Sequence, residues 1–165
     1  MSDRYVHPFL PFVDKDSKVL ILGTFPSIKS FEENFYYAHP RNQFWKLLAG
    51  VFGEKEPKTL EQKRAFLKRY GIALWDVVKS CKRQNSLDSN LKDMEPNDLR
   101  GLFKRYPNIK KIYFTSKTAL KFYERYFRDL DMERDYLDSP SPAYAKKSFK
   151  EKLKSWREKM GVDNA

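Results

Sequence analysis

The fold is decided by the stretch Val19-Leu20-Ile21-Leu22-Gly23-Thr24-Phe25-Pro26-Ser27. Its first four residues are apolar, and a glycine and a proline follow within the next four positions. A short apolar run that stops at Gly and Pro is typical of a parallel strand covered on both faces. We therefore predict a buried strand over residues 19–24 that breaks into a tight turn.

A second informative segment is Tyr36-Tyr37-Ala38-His39-Pro40-Arg41-Asn42-Gln43-Phe44-Trp45. It places aromatic rings, a guanidinium and an amide just ahead of a predicted helix. A nucleobase pocket needs such groups, because rings stack on a base and polar groups read its edge. Together the two segments indicate an enzyme that acts on nucleic acid.

Strands and helices alternate along the rest of the chain. Strands are predicted over residues 19–24, 72–78, 111–115 and 135–137, and helices over 42–52, 59–70, 97–106, 116–127 and 144–160. This alternation predicts an α/β fold, a three-layer α/β/α sandwich around a mainly parallel four-stranded sheet. Since no repeat or linker divides the chain, we expect a single domain over residues 1–165.

Two loops follow predicted strand ends. They are the first turn, Gly23 to Ser27, and a late loop, Ser139-Pro140-Ser141-Pro142. Ligands of open α/β sheets bind beyond the carboxyl ends of the strands. We therefore expect the two loops to face each other across one cleft.

The charge balance favours an anionic partner. The chain carries 33 Lys and Arg against 22 Asp and Glu, a formal charge of +11. DNA or RNA is the first partner to consider, and a solvated basic surface without a specific partner is the alternative. Phosphate-binding signatures of the forms Gly-x-x-x-x-Gly-Lys-Ser/Thr and Gly-x-Gly-x-x-Gly are missing, which argues against a nucleotide-binding protein.

Other classes are excluded by what the sequence lacks. No apolar stretch approaches the roughly 18 residues that span a bilayer, and the N-terminus lacks the apolar region of a signal peptide. The lone Cys81 excludes an internal disulfide, and with His7 and His39 it does not make a zinc set. We expect a cytoplasmic protein without membrane or metal.

The motifs resemble the uracil-DNA glycosylase superfamily. The Gly-x-x-Pro turn, the His-Pro-x-Asn-x-Phe-Trp segment and the Ser-Pro-Ser-Pro loop carry this resemblance, which runs from Val19 to about Tyr144. The sequence Gly-Thr-Phe-Pro-Ser, together with Tyr-Tyr-Ala-His-Pro-Arg-Asn, most resembles the hypoxanthine (deoxyinosine) DNA glycosylase branch. The resemblance implies an α/β/α sandwich that flips a damaged base out of double-stranded DNA and hydrolyses its N-glycosidic bond without a cofactor. Base excision requires only a monomer.

Two positions depart from the better-known branches of that superfamily. Phe25 stands where those branches carry an Asp or Asn that handles the attacking water, and Ser139 stands where uracil-specific members have a His. Phe25 can stack on a base but cannot polarise water. We therefore expect a monofunctional glycosylase that prefers hypoxanthine, with uracil second, and that leaves an abasic site.

The resemblance implies that Asn42 takes over the catalytic role. An amide can accept a hydrogen bond from water and orient it, although Asn42 is equally suited to cap the following helix. Asp88, in the polar loop Ser86-Leu87-Asp88-Ser89-Asn90, is the first alternative, and Asp76 the second. Ordinary turn hydrogen bonding explains Asp88 as well.

The remaining candidates divide into two sets. The predicted base pocket comprises Gly23, Thr24, Phe25, Pro26, Ser27, Tyr37 and His39, and the predicted DNA contacts are Arg41, Ser139, Pro140, Ser141, Pro142 and Lys146. Tyr36 and Tyr37 are adjacent, so we expect only one of them to face the pocket. His39 is equally explained as a hydrogen-bonding turn residue, and a solvated surface role explains Arg41 and Lys146.

A non-catalytic nucleic-acid-binding domain of the same fold is the alternative function. It is supported by Phe25, since that position has lost the water-handling side chain. The complete Tyr-Tyr-Ala-His-Pro-Arg-Asn run argues for the enzyme.

Overall fold

The structure is a computed structural model that describes residues 4–33, 35–83 and 91–161, and strands alternate with helices through most of it. The elements in chain order are β1 (Arg4–Val6), β2 (Val19–Gly23), α1 (Ile28–Glu33), α2 (Phe44–Phe52), α3 (Leu60–Tyr70), β3 (Ile72–Asp76), β4 (Val78–Lys82), β5 (Lys92–Pro96), α4 (Leu99–Arg105), β6 (Lys111–Phe114), α5 (Lys117–Phe127), β7 (Glu133–Tyr136) and α6 (Phe149–Met160).

A four-stranded parallel sheet lies at the centre, in the order β3-β2-β6-β7. In β2, the side chains of Leu20, Ile21 and Leu22 are all 0% exposed. Neighbouring residues of a strand point to opposite faces, so both faces of the sheet are covered. The predicted α/β/α sandwich around a four-stranded parallel sheet is confirmed.

A second, three-stranded antiparallel sheet, in the order β1-β4-β5, is not predicted by the sequence patterns. The single strand expected over residues 72–78 is in fact two strands, because the chain changes sheets at Val77. The Val77 amide donates to the carbonyl of Gly23 at 2.9 Å. The Asn97 side-chain amide donates to the carbonyls of Asp76 and Val78, at 2.8 and 3.1 Å, and so bridges the break.

Helix α2 begins at Phe44, two residues after the predicted start, and Gln43 occupies the N-cap position. The helix buries an apolar stripe made of Phe44, Leu47, Leu48 and Val51. Helix α3 begins with a capping box, in which the Thr59 side chain accepts from the Gln62 amide and the Gln62 side chain accepts from the Thr59 amide.

Helix α6 begins at Phe149, five residues later than predicted. Ser148 and Glu151 form a capping box there, and this sets the first turn. The i, i+4 spacing of Lys146, Lys150 and Lys154 suggests that the three share one helical face. Lys146 instead precedes the helix, so it does not share a face with the other two.

Strand register brings the functional positions together at one edge of the parallel sheet. Gly23 pairs with Asp76, and Leu22 pairs with Phe114. Thr115 follows Phe114 directly, and its amide donates to the Leu22 carbonyl at 3.1 Å. The carboxyl ends of β2, β3 and β6 thus meet around Gly23. Among the described residues, no helix is both long and apolar enough to cross a membrane.

Candidate active site

A cleft of about 530 Å³ opens at the carboxyl edge of the parallel sheet. Small-ligand pockets have volumes of roughly 300–1,000 Å³. Most of the lining residues belong to four segments: residues 23–27, residues 36–42, residues 115–118 and residues 139–144. The first turn and the late loop therefore share one cleft, where the topology of open α/β sheets places ligands.

Most of the candidates predicted from the sequence line this cleft. They are Gly23, Thr24, Phe25, Pro26, Ser27, Tyr37, His39, Arg41, Asn42, Ser139, Pro140, Ser141 and Pro142. Lys146 is exposed beyond the late loop and is not among the lining residues. Asp88 lies outside the described residues.

Sequence reasoning missed several lining residues. They are Ser30, Thr115, Ser116, Lys117, Thr118, Tyr136, Ala143 and Tyr144, and the sequence singles out Asp76 only as a second alternative. Both Tyr36 and Tyr37 line the cleft, so the expectation that only one of them would do so is wrong. The residues from Thr115 to Thr118 had a usable signal, because they directly follow a predicted strand at the carboxyl edge. A pair of hydroxyls links two of the strand ends there, since Thr24 Oγ1 lies 2.8 Å from Ser116 Oγ.

Asn42 has a defined side-chain orientation. Its Oδ1 accepts from the Phe44 amide at 2.9 Å, and its backbone amide donates to the His39 carbonyl at 2.9 Å. A carbonyl oxygen has two lone pairs, so the bond to Phe44 leaves one acceptor position on Oδ1. The side chain therefore anchors the start of α2 and still has the capacity to accept a hydrogen bond from water.

His39 and Arg41 belong to the same turn. His39 Nδ1 accepts from the Arg41 amide at 3.1 Å, which places the proton of a neutral ring on Nε2. The Arg41 side chain is exposed and lines the cleft mouth. This turn holds Asn42 at one end and leaves a guanidinium at the surface.

The two adjacent tyrosines have different surroundings. Tyr36 is 2% exposed, and its hydroxyl donates to the Leu10 carbonyl at 3.1 Å. Burial raises the pKa of Tyr36 well above its usual value, and the charge of Asp76 adds to the effect. The Tyr37 ring stacks on Phe44 with centroids 3.8 Å apart, and its hydroxyl lies 2.8 Å from Thr115 Oγ1.

The ring of Phe25 is held from several sides. It lies edge-on to His7 with centroids 5.9 Å apart and 5.6 Å from the ring of Phe31. The Arg83 guanidinium carbon lies 5.0 Å from the ring centroid, and an Arg83 N–H donates to the Pro26 carbonyl. Phe25 is 8% exposed, so little of the ring is left for contact with a base.

Asp76 is a buried carboxylate at the end of β3. Its Oδ2 lies 2.8 Å from His7 Nε2. Its Oδ1 lies on the side of Gly23, because a Cβ added to Gly23 would approach Oδ1 to 2.6 Å and the Tyr37 hydroxyl to 3.2 Å. One carboxylate oxygen is therefore paired with His7, and the other lies beside Gly23.

The late loop is fastened to α2 and α6. The Gln43 amide donates to the Pro140 carbonyl at 2.9 Å. Lys152 is 2% exposed, and its Nζ donates to Gln43 Oε1 at 2.8 Å and to the Ser141 carbonyl at 3.4 Å. Burial lowers the pKa of Lys152, and the charge of Asp138 opposes this shift. These bonds fix the two walls of the cleft relative to each other.

Gly23→Ala is expected to impair the site. The added methyl would meet Asp76 Oδ1 at 2.6 Å and the Tyr37 hydroxyl at 3.2 Å, so both groups must shift. Small displacements of reacting groups cost about 100-fold in rate. We expect the reaction that the motif resemblance implies, excision of a damaged base, to slow by about that factor, while the melting temperature changes less; single-turnover assays and a melting curve measure the two. Full activity of the Gly23→Ala variant would contradict the close packing.

Comparison with known proteins identifies the family. The family model of the uracil DNA glycosylase superfamily matches residues 10–160. A hypoxanthine DNA glycosylase from Methanosarcina barkeri is 37% identical over 151 residues, which is 91% of this chain and 94% of that protein. A hypoxanthine DNA glycosylase from Methanosarcina acetivorans is 37% identical over 136 residues, 82% of this chain and 85% of its own.

A solved structure is similar as well. The solution NMR structure of a candidate uracil DNA glycosylase from Methanosarcina acetivorans superposes with a TM-score of 0.76 at 34% identity, covering 91% of this chain and 95% of that one. The parallel sheet and the cleft at its carboxyl edge agree with the family that these matches indicate. The chain belongs to the uracil DNA glycosylase superfamily and is a DNA glycosylase, a hydrolase of N-glycosyl bonds.

Proposed function

We propose that this glycosylase excises hypoxanthine from double-stranded DNA first and uracil second, from a base flipped into the cleft at the carboxyl edge. The observation that carries the proposal is the convergence of Asn42, Asp76 and the first turn on this one cleft. It is supported by two relatives that are named hypoxanthine DNA glycosylases. The enzyme acts as a single domain and a monomer, and needs neither metal nor cofactor.

Asn42 is the proposed catalytic residue. Its Oδ1 keeps one acceptor position beside the bond to the Phe44 amide, and through it orients water toward C1′ of the sugar. The glycosidic bond breaks with its electron pair moving to the base, the water oxygen bonds to C1′, and the water loses a proton to solvent. Backbone N–H groups of the first turn donate to the base as it gains charge.

Asp76 is the proposed reader of the base edge. A carboxylate oxygen only accepts hydrogen bonds. Hypoxanthine and uracil each present a ring N–H next to a carbonyl, whereas adenine and cytosine present a lone pair at that ring nitrogen. An acceptor at Oδ1 therefore favours the deaminated base over its amine parent, and each such contact contributes about 1–3 kcal/mol when its loss leaves a group unpaired.

Arg41 and the late loop are the proposed DNA contacts. Arg41 is exposed at the cleft mouth, and the loop from Ser139 to Pro142 is held by Gln43 and Lys152. Such a loop is suited to press on the backbone around a flipped nucleotide. Lys146 lies outside the cleft, so we assign it a more distant phosphate contact.

The test is an excision assay on matched duplexes. End-labelled duplexes each contain one hypoxanthine, uracil, xanthine or T·G mismatch, and undamaged DNA serves as the control. Abasic sites are then cleaved with alkali. We expect alkali-dependent cleavage that is fastest with hypoxanthine, slower with uracil and absent with adenine, and no cleavage without alkali.

The non-catalytic alternative has a specific observation in its favour. Phe25 occupies the turn position of the water-handling residue, and its ring is packed among His7, Phe31 and Arg83. Salt-sensitive binding to damaged DNA without excision of any base would establish that alternative and overturn the proposal.

A further inference from the structure

His7 and Asp76 form a buried pair behind the cleft wall. The side chains of His7 and Asp76 are 4% and 6% exposed, and His7 Nε2 lies 2.8 Å from Asp76 Oδ2. The second ring nitrogen of His7, Nδ1, lies 2.8 Å from the Phe9 carbonyl oxygen. The rings of Phe9, Phe25 and Tyr36 surround the imidazole at centroid distances of 4.8, 5.9 and 6.0 Å.

The two hydrogen bonds determine how many protons the pair carries. A carbonyl oxygen only accepts, so His7 Nδ1 must carry a proton to bond to Phe9. A bond between Nε2 and a carboxylate oxygen at 2.8 Å also needs a proton between them. Imidazole is a stronger base than carboxylate, so this second proton resides on the ring. The pair is therefore an imidazolium and a carboxylate, with no net charge.

From these proton positions we infer that His7 is a positioning residue for the reaction. It holds the Asp76 carboxylate in place and compensates the negative charge of that carboxylate, which would otherwise act on the leaving base. The inference rests on the proposed function, in which Asp76 Oδ1 accepts from the base edge. The base gains negative charge as the glycosidic bond breaks. An unpaired carboxylate at that edge would repel this charge, and a low-dielectric site would strengthen the repulsion. The imidazolium of His7 offsets the charge of Asp76 and so removes this repulsion, while Asp76 Oδ1 still accepts a hydrogen bond from the base.

Few other charged groups face the pair in the part of the chain that the structure describes. The Tyr36 hydroxyl has a raised pKa and stays neutral at physiological pH. The Tyr37 hydroxyl is bonded to Thr115, and the Arg83 guanidinium lies over the Phe25 ring, with its carbon 5.0 Å from the ring centroid. On β4, the Lys79 carbonyl accepts from the His7 backbone amide at 2.8 Å. The compensation of the Asp76 charge is thus assigned to His7.

The activity test compares four proteins: wild type, His7→Gln, Asp76→Asn and the double variant. Gln at position 7 keeps a neutral donor for Asp76 but carries no charge. We expect His7→Gln to excise hypoxanthine about 10- to 100-fold more slowly at neutral pH under single-turnover conditions. Val6→Gln, at a neighbouring position that is 60% exposed, is the matched control and keeps the wild-type rate.

The double variant distinguishes an effect of His7 on the charge of Asp76 from a general structural effect of the substitution. If His7 acts through Asp76, His7→Gln costs much less when Asp76 is already Asn, and the two effects are not additive. A loss for His7→Gln that is equal in both backgrounds would overturn the inference.

A second measurement does not depend on activity. Long-range ¹H–¹⁵N correlation spectra of the free wild-type protein report which ring nitrogens of His7 are protonated. Two protonated nitrogens at neutral pH are expected, and a ring with a single N–H overturns the inference. If the wild type excises no base while His7 shows two N–H groups, the proposed function fails and the charged pair stands.

Discussion

Asn42→Ala is expected to slow the excision of hypoxanthine by about 100-fold or more while the affinity for the damaged duplex changes little. The substitution removes the oxygen that accepts from water and also the bond to the Phe44 amide. Water is then free to adopt many orientations, and its reactive geometry must be found by chance. Single-turnover rates report the chemical step, and fluorescence anisotropy with the same duplex reports binding.

The control is Asn42→Asp. A carboxylate accepts from the Phe44 amide as the native oxygen does, so the start of α2 is retained, and it can also accept from water. We expect Asn42→Asp to keep far more activity than Asn42→Ala, with a similar melting temperature to the wild type. If Asn42→Ala excises hypoxanthine at the wild-type rate, another group must orient the water. Asp88→Ala would then be the next variant to assay.

The central sheet was predictable because its signals are local. The run from Val19 to Leu22 is apolar, ends at Gly23 and forms a strand that is covered on both faces. The capping box of Thr59 and Gln62 is also a local signal, because its two residues are close in sequence. Once the strands are known, the topology rule for open sheets places the first turn and the late loop at one edge.

The antiparallel sheet and the His7–Asp76 pair were not predictable in this way. Their partners lie far apart in the chain, as the separation of 69 positions between His7 and Asp76 illustrates. The β5 strand is polar and mostly exposed, so it lacks the alternation that marks a half-buried strand. Asp76 appears in the sequence as one acidic residue within an apolar run, and only the fold shows that it is paired.

The last helix shows a further limit of pattern reading. The segment from Lys146 to Lys159 carries seven Lys and Arg residues, two of them ahead of α6, and this density indicates a surface for phosphate. The structure buries Lys152 at 2% exposure and uses it to hold Ser141 and Gln43. Arg157 likewise donates to the Gly50 carbonyl, at 2.8 and 3.1 Å. A charged side chain in a helix therefore serves packing when its neighbours supply acceptors, and the sequence alone does not show them.

Trp156→Ala is expected to cause the largest loss of stability, lowering the free energy of unfolding by about 3–5 kcal/mol. The Trp156 side chain is 0% exposed, and its ring lies edge-on to Phe44 with centroids 5.9 Å apart. Its Nε1 donates to the Asp138 carbonyl at 2.9 Å, one residue before the late loop. The substitution leaves a cavity between α2 and α6, and the Asp138 carbonyl loses the hydrogen bond from Trp156.

Urea denaturation measures this loss, and two variants locate its cause. Trp156→Phe keeps most of the apolar volume but loses the indole N–H, so it should cost about 1–3 kcal/mol through the unpaired carbonyl and the smaller ring. Lys154→Ala, at an exposed position of the same helix, should stay within about 0.5 kcal/mol of the wild type. A loss below about 1 kcal/mol for Trp156→Ala would mean that the surrounding residues collapse into the space. In that case the late loop is held by Lys152 and Gln43, and Trp156 is not its main anchor.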